Sequence, residues 1–275
     1  MKPAQFDYLR AASVKEALSH LATYGDRARI MAGGQTLMPM LNFRLLEPEL
    51  IIDVASIITL ADIRVDAHWV EIGAAVTQSE LLAWSDLHRE IPLVAAALPW
   101  VGHFQTRNRG TVCGSIAHAD PSSELPLALA VLGGQVELSS QRGTRQLSAT
   151  EFQVGMLSTA RVPDELITCV RFPRARQGEG FAFREVARRH GDFAIVSLGA
   201  IAAKEDVALG VGGVAGVPTV RTFGALTGHA LDAALNTFAW DMGGHDDVHA
   251  TARYRRDLVR MLGRQVIEEA RACRS

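Results

Sequence analysis

Cysteine is scarce in this chain. Three occur in 275 residues, at Cys113, Cys169 and Cys273, widely spaced and with no C-x-x-C pair. That spacing argues against a disulfide framework, a structural zinc site and a cysteine-held iron–sulfur cluster. An excess of one charge is missing too: 28 basic residues face 30 acidic ones, for a net charge of −2. The basic stretches Arg184–Arg189 and Arg253–Arg264 are interrupted by acidic or apolar residues. Without a basic stripe, the chain is not expected to bind nucleic acid. Long apolar runs are also absent. The opening MKPAQFDYLR carries no apolar segment, so no secretory signal is expected, and the apolar stretch opening at Ile91 is broken by Pro92 and Pro99. The expectation is a cytoplasmic protein with no membrane span. Neither G-x-G-x-x-G nor a Walker lysine follows any glycine pair.

With 48% hydrophobic residues, the chain can bury a core of one large or two smaller domains. Ser13–Glu16 and Thr77–Glu80 read as capping boxes, the first opening a helix stopped by Gly25, the second a helix to about His88. Further helices are predicted over Thr36–Leu46, Ile91–Val101 and Ser122–Leu132. Strands are predicted over Arg29–Ala32, Leu50–Val54, Trp69–Gly73, Gln135–Leu138, Arg145–Leu147 and Leu166–Phe172. Longer strands follow at Phe181–Val186, Phe193–Ala203 and Val207–Val214, with Gly210–Gly216 as a turn. Asp246 and Asp247 would cap a last helix whose face carries Val248, Ala252, Leu258, Leu262 and Val266. The pattern is α+β, without the regular alternation of a doubly wound sheet. A polar, glycine-containing link near residue 176 divides it into domains 1–175 and 176–275.

Two glycine loops stand out. Ala32-Gly33-Gly34-Gln35-Thr36 joins a strand to a helix start, where glycine permits positive φ and close approach of a ligand to main-chain N–H groups. Arg109-Gly110-Thr111-Val112-Cys113-Gly114-Ser115 adds hydroxyls, and His118-Ala119-Asp120-Pro121-Ser122-Ser123-Glu124 follows it. Taken singly, the first reads as a tight turn with no ligand and the second as a loop with a capped helix behind it. A pair in one domain favours a diphosphate ligand.

The string Ala32–Leu37 resembles the first flavin-binding loop of the FAD subunits of molybdenum hydroxylases, a group that includes the medium subunit of aerobic carbon monoxide dehydrogenase and the flavin domain of xanthine dehydrogenase. Arg107–Pro121 resembles their second loop, R-N-R-G-T-I-G-G-N-I-A-H-A-D-P. Arg188–Val196 resembles their R-x-x-D-F-A-x-V stretch, and Asp246–Arg256 their D-x-x-A-S-x-x-Y-R-R motif. The likeness covers essentially the whole chain.

The resemblance implies a PCMH-type FAD-binding fold of two α/β subdomains, then a C-terminal domain of antiparallel sheet plus helices. It implies that Ile30, Met31, Ala32, Gly33, Gly34, Gln35, Thr36 and Leu37, with Thr111, Val112, Cys113, Gly114 and Ser115, contact FAD. Val101 and Gly102 would pack near the flavin, and Ile167 would touch its edge. Glu124 or its rival Asp120 would bind a hydroxyl or amide edge, and Arg184 would stand near the pyrimidine. No side chain is assigned as catalytic, and no metal is expected in this chain. Molybdopterin and two 2Fe–2S clusters would reside in a large and a small partner subunit, as a dimer of heterotrimers, and FAD would pass electrons to a final acceptor. Alternatives are a stand-alone PCMH-type flavin oxidoreductase and a flavin-free assembly subunit.

Cys113 and Ser115 replace the usual Gly and Asn of the second loop. Ordinary φ and a buried filler role are therefore expected at Cys113, with Gly114 as the strict requirement. His118 is expected at a helix entry, His245 and His249 at a solvated helix start, and Arg253–Arg256 on a solvated or intersubunit helix face.

Overall fold

The computed structural model describes residues 2–274. It begins with a three-stranded parallel sheet in the order Asp7–Arg10, Leu50–Asp53, Ala28–Met31. Parallel strands need crossovers: helix Val14–Tyr24 joins the two outer strands, and helix Leu37–Asn42 lies in the connection to the central one. Ser13 Oγ accepts from Glu16 N at its start, and Gly25, at φ +50°, stops it. The box is offset by one residue, because Glu16 Oε2 accepts from Ala12 N rather than from Ser13 N.

Next comes a five-stranded antiparallel sheet ordered Ile63–Val65, Trp69–Gly73, Leu166–Pro173, Gln135–Ser140, Gly143–Ser148. Helix Gln78–Ala83 opens on a complete capping box between Thr77 and Glu80. It does not reach His88: Trp84 takes extended backbone, and a separate turn follows at Leu87–Glu90. Helix Pro92–Ala97 tightens into a 3₁₀ turn at Leu98–Trp100. Helix Glu124–Leu132 is apolar almost all round because it is covered on two sides, by the five-stranded sheet and by the C-terminal one.

The C-terminal sheet is a four-stranded meander, Gly180–Val186, Val196–Ala202, Val207–Gly212 and Thr219–Thr222. Its two faces serve different cores. Phe183 packs with the core of the preceding sheets, while Ala182, Leu198 and Ala200 pack with the closing helix Ala252–Ala272. Helix Gly228–Asp241 was not expected from the sequence, nor were strands Asp7–Arg10, Ile63–Val65 and Thr219–Thr222. The short hairpin Gln153–Gly155 with Ser158–Thr159 is a further addition. Gly210 and Gly212 lie inside a strand, so the turn begins only at Gly213 (φ +80°).

The closing helix begins at Ala252 with Thr251 as its cap. Asp246 still helps, since its Oδ1 accepts from Ala252 N at 2.6 Å, and Asp247 Oδ1 accepts from His249 N and Ala250 N. Val248 is not on the helix and is 89% exposed, and His245 and His249 lie outside any helix. Arg255 is not on a solvated face. It is 2% exposed, donates to the carbonyls of Ile195 and Gly213, and pairs with Asp247 at 2.6 Å.

The polar link is pinned. Arg174 holds buried Glu90 through two hydrogen bonds, and Ala175 N donates to Glu90 O at 2.8 Å.

Candidate cofactor site

The first glycine loop leaves strand Ala28–Met31 and enters helix Leu37–Asn42. Gly34 takes φ +70°, a region that costs L side chains about 1–2 kcal/mol. Met38 N and Met40 N donate back to Gly34 O and Thr36 O, and Gln35 Nε2 donates to Gly33 O. The second loop enters helix Val112–His118, where Thr111 Oγ1 accepts from Gly114 N at 3.0 Å.

The two loops touch. A Cβ added at Gly33 would lie 2.1 Å from Arg109 O and 2.7 Å from Gly110 Cα. Only a residue without a side chain lets the first loop lie against the backbone of the second. Behind them, Gln78 N donates to Gly110 O at 2.8 Å, Val112 N to Val76 O at 3.1 Å, and Thr77 bridges Thr111. The Thr77 capping box therefore holds up the second loop as well as starting its own helix.

Gly114 is required for a different reason from Gly34. Its φ is not positive, and an added Cβ would press on Thr111 Oγ1 at 2.8 Å, displacing the hydroxyl that caps the helix. Cys113 has ordinary φ and is 2% exposed, with Sγ directed at Ile72 O. Burial, with a smaller push from nearby Cys169, raises its thiol well above the usual range, so it acts as a filler and not as a thiolate.

A third segment joins the loops. Arg107 Nη1 donates to Val101 O at 2.9 Å and Gly102 O at 3.0 Å, tying Val101–Gly102 to the second loop. Gly102 has φ +51°. The C-terminal sheet contributes its Arg188–Phe193 turn here: an added Cβ at Gly191 would meet the His103 ring at 2.5 Å and Gly102 O at 3.0 Å. The Trp100 and His190 rings meet at a tilt of 59°, with 5.6 Å between centroids. Arg107 and Gly191 were not among the expected site residues. Their presence inside the two quoted motifs was the available signal.

Past the second helix, Ala119 turns in the left-handed region at φ +52°, Asp120 Oδ1 accepts from Ser122 N, and Pro121 O accepts from Gly213 N at 2.8 Å. His118 closes a helix instead of entering one. Burial pulls its imidazole below the usual range against the opposing pull of Asp120, whose Oδ2 lies 3.9 Å from Nε2. Glu124 opens the next helix at 4% exposure, and burial raises its carboxyl to about 7. Ile167 is 5% exposed within its strand.

Arg184 departs from expectation. Its Nε donates to Glu269 Oε2 of the closing helix at 3.0 Å, on the sheet face turned away from Glu124. Strand alternation sends neighbouring side chains to opposite faces, and Glu185 takes the inward one. Arg184→Ala is expected to leave the flavin-to-protein ratio unchanged and to lower stability by at most about 1 kcal/mol, because both partners are nearly half exposed. Absorbance of the purified variant and its denaturant midpoint check this.

Residues 4–175 match the model of the FAD binding domain in molybdopterin dehydrogenase, and residues 181–270 match the CO dehydrogenase flavoprotein C-terminal domain. The chain belongs to the family of FAD-binding subunits of molybdopterin dehydrogenases. It is 35% identical to the 6-hydroxypseudooxynicotine dehydrogenase complex subunit alpha of Paenarthrobacter nicotinovorans, over 98% of this chain and 96% of that relative. It is 40% identical to the caffeine dehydrogenase subunit beta of a Pseudomonas species, over 75% of this chain and 70% of the relative. Among solved structures, a chain of reconstituted CO dehydrogenase from Oligotropha carboxidovorans superposes with a TM-score of 0.94 at 30% identity, covering 99% of this chain and all of that one. This is an oxidoreductase subunit built on an FAD-binding domain, and no helix among the described residues is long and apolar enough to cross a membrane.

Proposed function

We propose that this chain is the electron-transfer subunit of a cytoplasmic molybdenum hydroxylase, divided near residue 176, whose FAD diphosphate lies between the two glycine loops. One observation carries the reading: Gly33 rests directly on Arg109–Gly110, so two loops distant in sequence form one cradle. Main-chain N–H groups of Gly33–Leu37, with those of Thr111 and Cys113 and the Ser115 hydroxyl, hold the two phosphate charges, since the N–H groups of Val112, Gly114 and Ser115 are spent on Val76 O, Thr111 Oγ1 and Thr111 O. Ile30, Met31 and Ala32 form the strand end beneath, and Val101, Gly102 and Ile167 wall the flavin. Glu124 holds its polar edge, with Asp120 fixing the turn before it. Arg184, paired with Glu269, is left out of this reading.

FAD supplies two-electron and one-electron redox chemistry when bound. This chain's residues bind it, orient it and exclude water from it. Electrons would come from 2Fe–2S clusters of a small partner subunit and originate at molybdopterin in a large one, the three chains forming a dimer of heterotrimers. Substrate recognition would then rest with the molybdopterin subunit.

The purified full chain is expected to absorb near ~370 and ~450 nm, as bound flavins do, and to co-purify with two partner subunits when the three are co-expressed. A colourless protein that takes up no added FAD would defeat the reading. A chain that purifies alone and turns over a substrate by itself would replace it with a stand-alone flavin oxidoreductase.

A further inference from the structure

Glu185 is an anomaly of this fold. Both of its carboxyl oxygens are buried without a hydrogen-bond partner. Its strand directs Phe181, Phe183 and Glu185 toward the first domain, and the partly buried Phe181 and buried Phe183 join that core. Directly opposite Glu185 in the antiparallel register stands Ser197, 0% exposed, whose Oγ also has no partner. Across the seam lies Glu124, 4% exposed, close enough for its charge to act on Glu185.

No cation answers these groups. Helix Pro92–Ala97 and strands Val196–Ala202 and Val207–Gly212 carry no ionisable side chain, and helix Glu124–Leu132 carries Glu124 alone. The preceding turn adds Asp120, with His118 beside it. Arg184 faces the other way. Burial first, and Glu124 second, raise the Glu185 carboxyl to about 8. Near neutral pH the pair keeps at least one proton, and the apparent titration belongs to both groups.

A buried acceptor without a donor costs stability, and native proteins keep few of them. A neutral carboxylic acid has one O–H donor beside one carbonyl acceptor. That is the complement of a cyclic imide edge, an N–H flanked by C=O. The isoalloxazine of FAD carries such an edge. In the chain, the helix Val112–His118, about 10 Å long at 1.5 Å per residue, and the turn after it join the second glycine loop to Glu124. We propose that Glu185, with Glu124, forms a proton-bearing carboxyl pair that binds the imide edge of the flavin and is completed by it. This rests on the FAD reading above.

The test titrates FAD into the FAD-free full chain, followed by flavin fluorescence from pH 6 to 9, for the native protein, Glu185→Gln and Glu185→Leu. Native affinity should weaken as pH rises from 7 to 9, because ionisation removes the donor and adds charge. Glu185→Gln keeps a donor and an acceptor. It should match native affinity at pH 7 and lose most of that weakening. Glu185→Leu should bind FAD at least about tenfold more weakly at pH 7. Without FAD it should melt higher than native at pH 9. A carboxyl raised in the folded state stabilises fully only below its unfolded pKa and loses that contribution as pH rises to about 8, so removing it relieves the penalty at pH 9.

Native affinity retained by Glu185→Leu, or the full native pH dependence retained by Glu185→Gln, would overturn the proposal while leaving FAD binding intact. If Glu185→Leu does not fold, the Glu185→Gln profile decides alone. Failure of the native chain to bind FAD would instead bring down the cofactor reading itself.

Discussion

Gly33→Val is expected to lose most of its FAD on purification. The first atom of any side chain at this position would sit 2.1 Å from Arg109 O and 2.7 Å from Gly110 Cα, both main-chain atoms that cannot rotate aside. One loop must therefore retreat, and the N–H groups that converge on the diphosphate separate. A displacement costing about 2 kcal/mol lowers affinity by roughly 30-fold. The fold should survive, because the first loop is only partly buried and can retreat while Val112 and Cys113 of the second stay in the core. Gly34→Ala should be milder, since its φ of +70° is strained for alanine but an added Cβ finds only the flexible side chains of Met38 and Met31 nearby. The measurement is flavin-to-protein ratio after gel filtration, with far-ultraviolet circular dichroism confirming the fold. Equal flavin content in Gly33→Val and the native chain would mean that contact between the loops does not matter.

Arg255→Met is expected to give the largest loss of stability among single changes to the C-terminal domain. The guanidinium is buried, and it satisfies the carbonyls of Ile195 and Gly213 together with Asp247. That arrangement joins the closing helix and the Asp247 turn before it to the residues flanking two strands of the sheet. Asp247 is correspondingly held down at about 2: burial opposes ionisation, but the N–H groups of Ala250 and His249 and the Arg255 guanidinium outweigh it. Methionine fills the stem but leaves two carbonyls and a carboxylate without their donor. Breaking a buried pair in this way costs about 3–5 kcal/mol, or roughly 6–20 °C in melting temperature for a chain of this size. Calorimetry of the full chain checks it. A shift below about 2 °C, of the order of a surface change, would show that the Arg255 contacts are replaced by water.

Much of this architecture is legible in residues. The Thr77–Glu80 spacing predicts its capping box, and alternation together with glycine stops locates most strands. What the sequence hides is parity and contact. Arg184 and Glu185 are adjacent, and choosing which one faces inward requires the strand register, since a shift of one residue inverts every side chain. The first glycine loop reads as a phosphate cradle, yet the reasons for its glycines differ. Gly34 is needed for its φ, whereas Gly33 is needed because another loop lies on it, and no spacing rule can show that. Ser13 promises a full capping box only because the pattern S-x-x-E does not reveal that Glu16 reaches Ala12. Helix Gly228–Asp241 did carry a signal in Leu231, Leu235, Phe238 and Ala239, one stripe at helical spacing. Arg255 looks like part of a solvated basic run because a chain read linearly cannot show that one of the three arginines in Arg253–Arg256 turns inward.

The central claim is that two loops form one diphosphate cradle, and the most direct measurement is an experimental structure of the full chain loaded with FAD. Diphosphate oxygens are expected within hydrogen-bond distance of main-chain N–H groups of Gly33–Leu37 and of Thr111 or Cys113. A diphosphate held by one loop alone, or bound away from the Gly33–Arg109 contact, would contradict it.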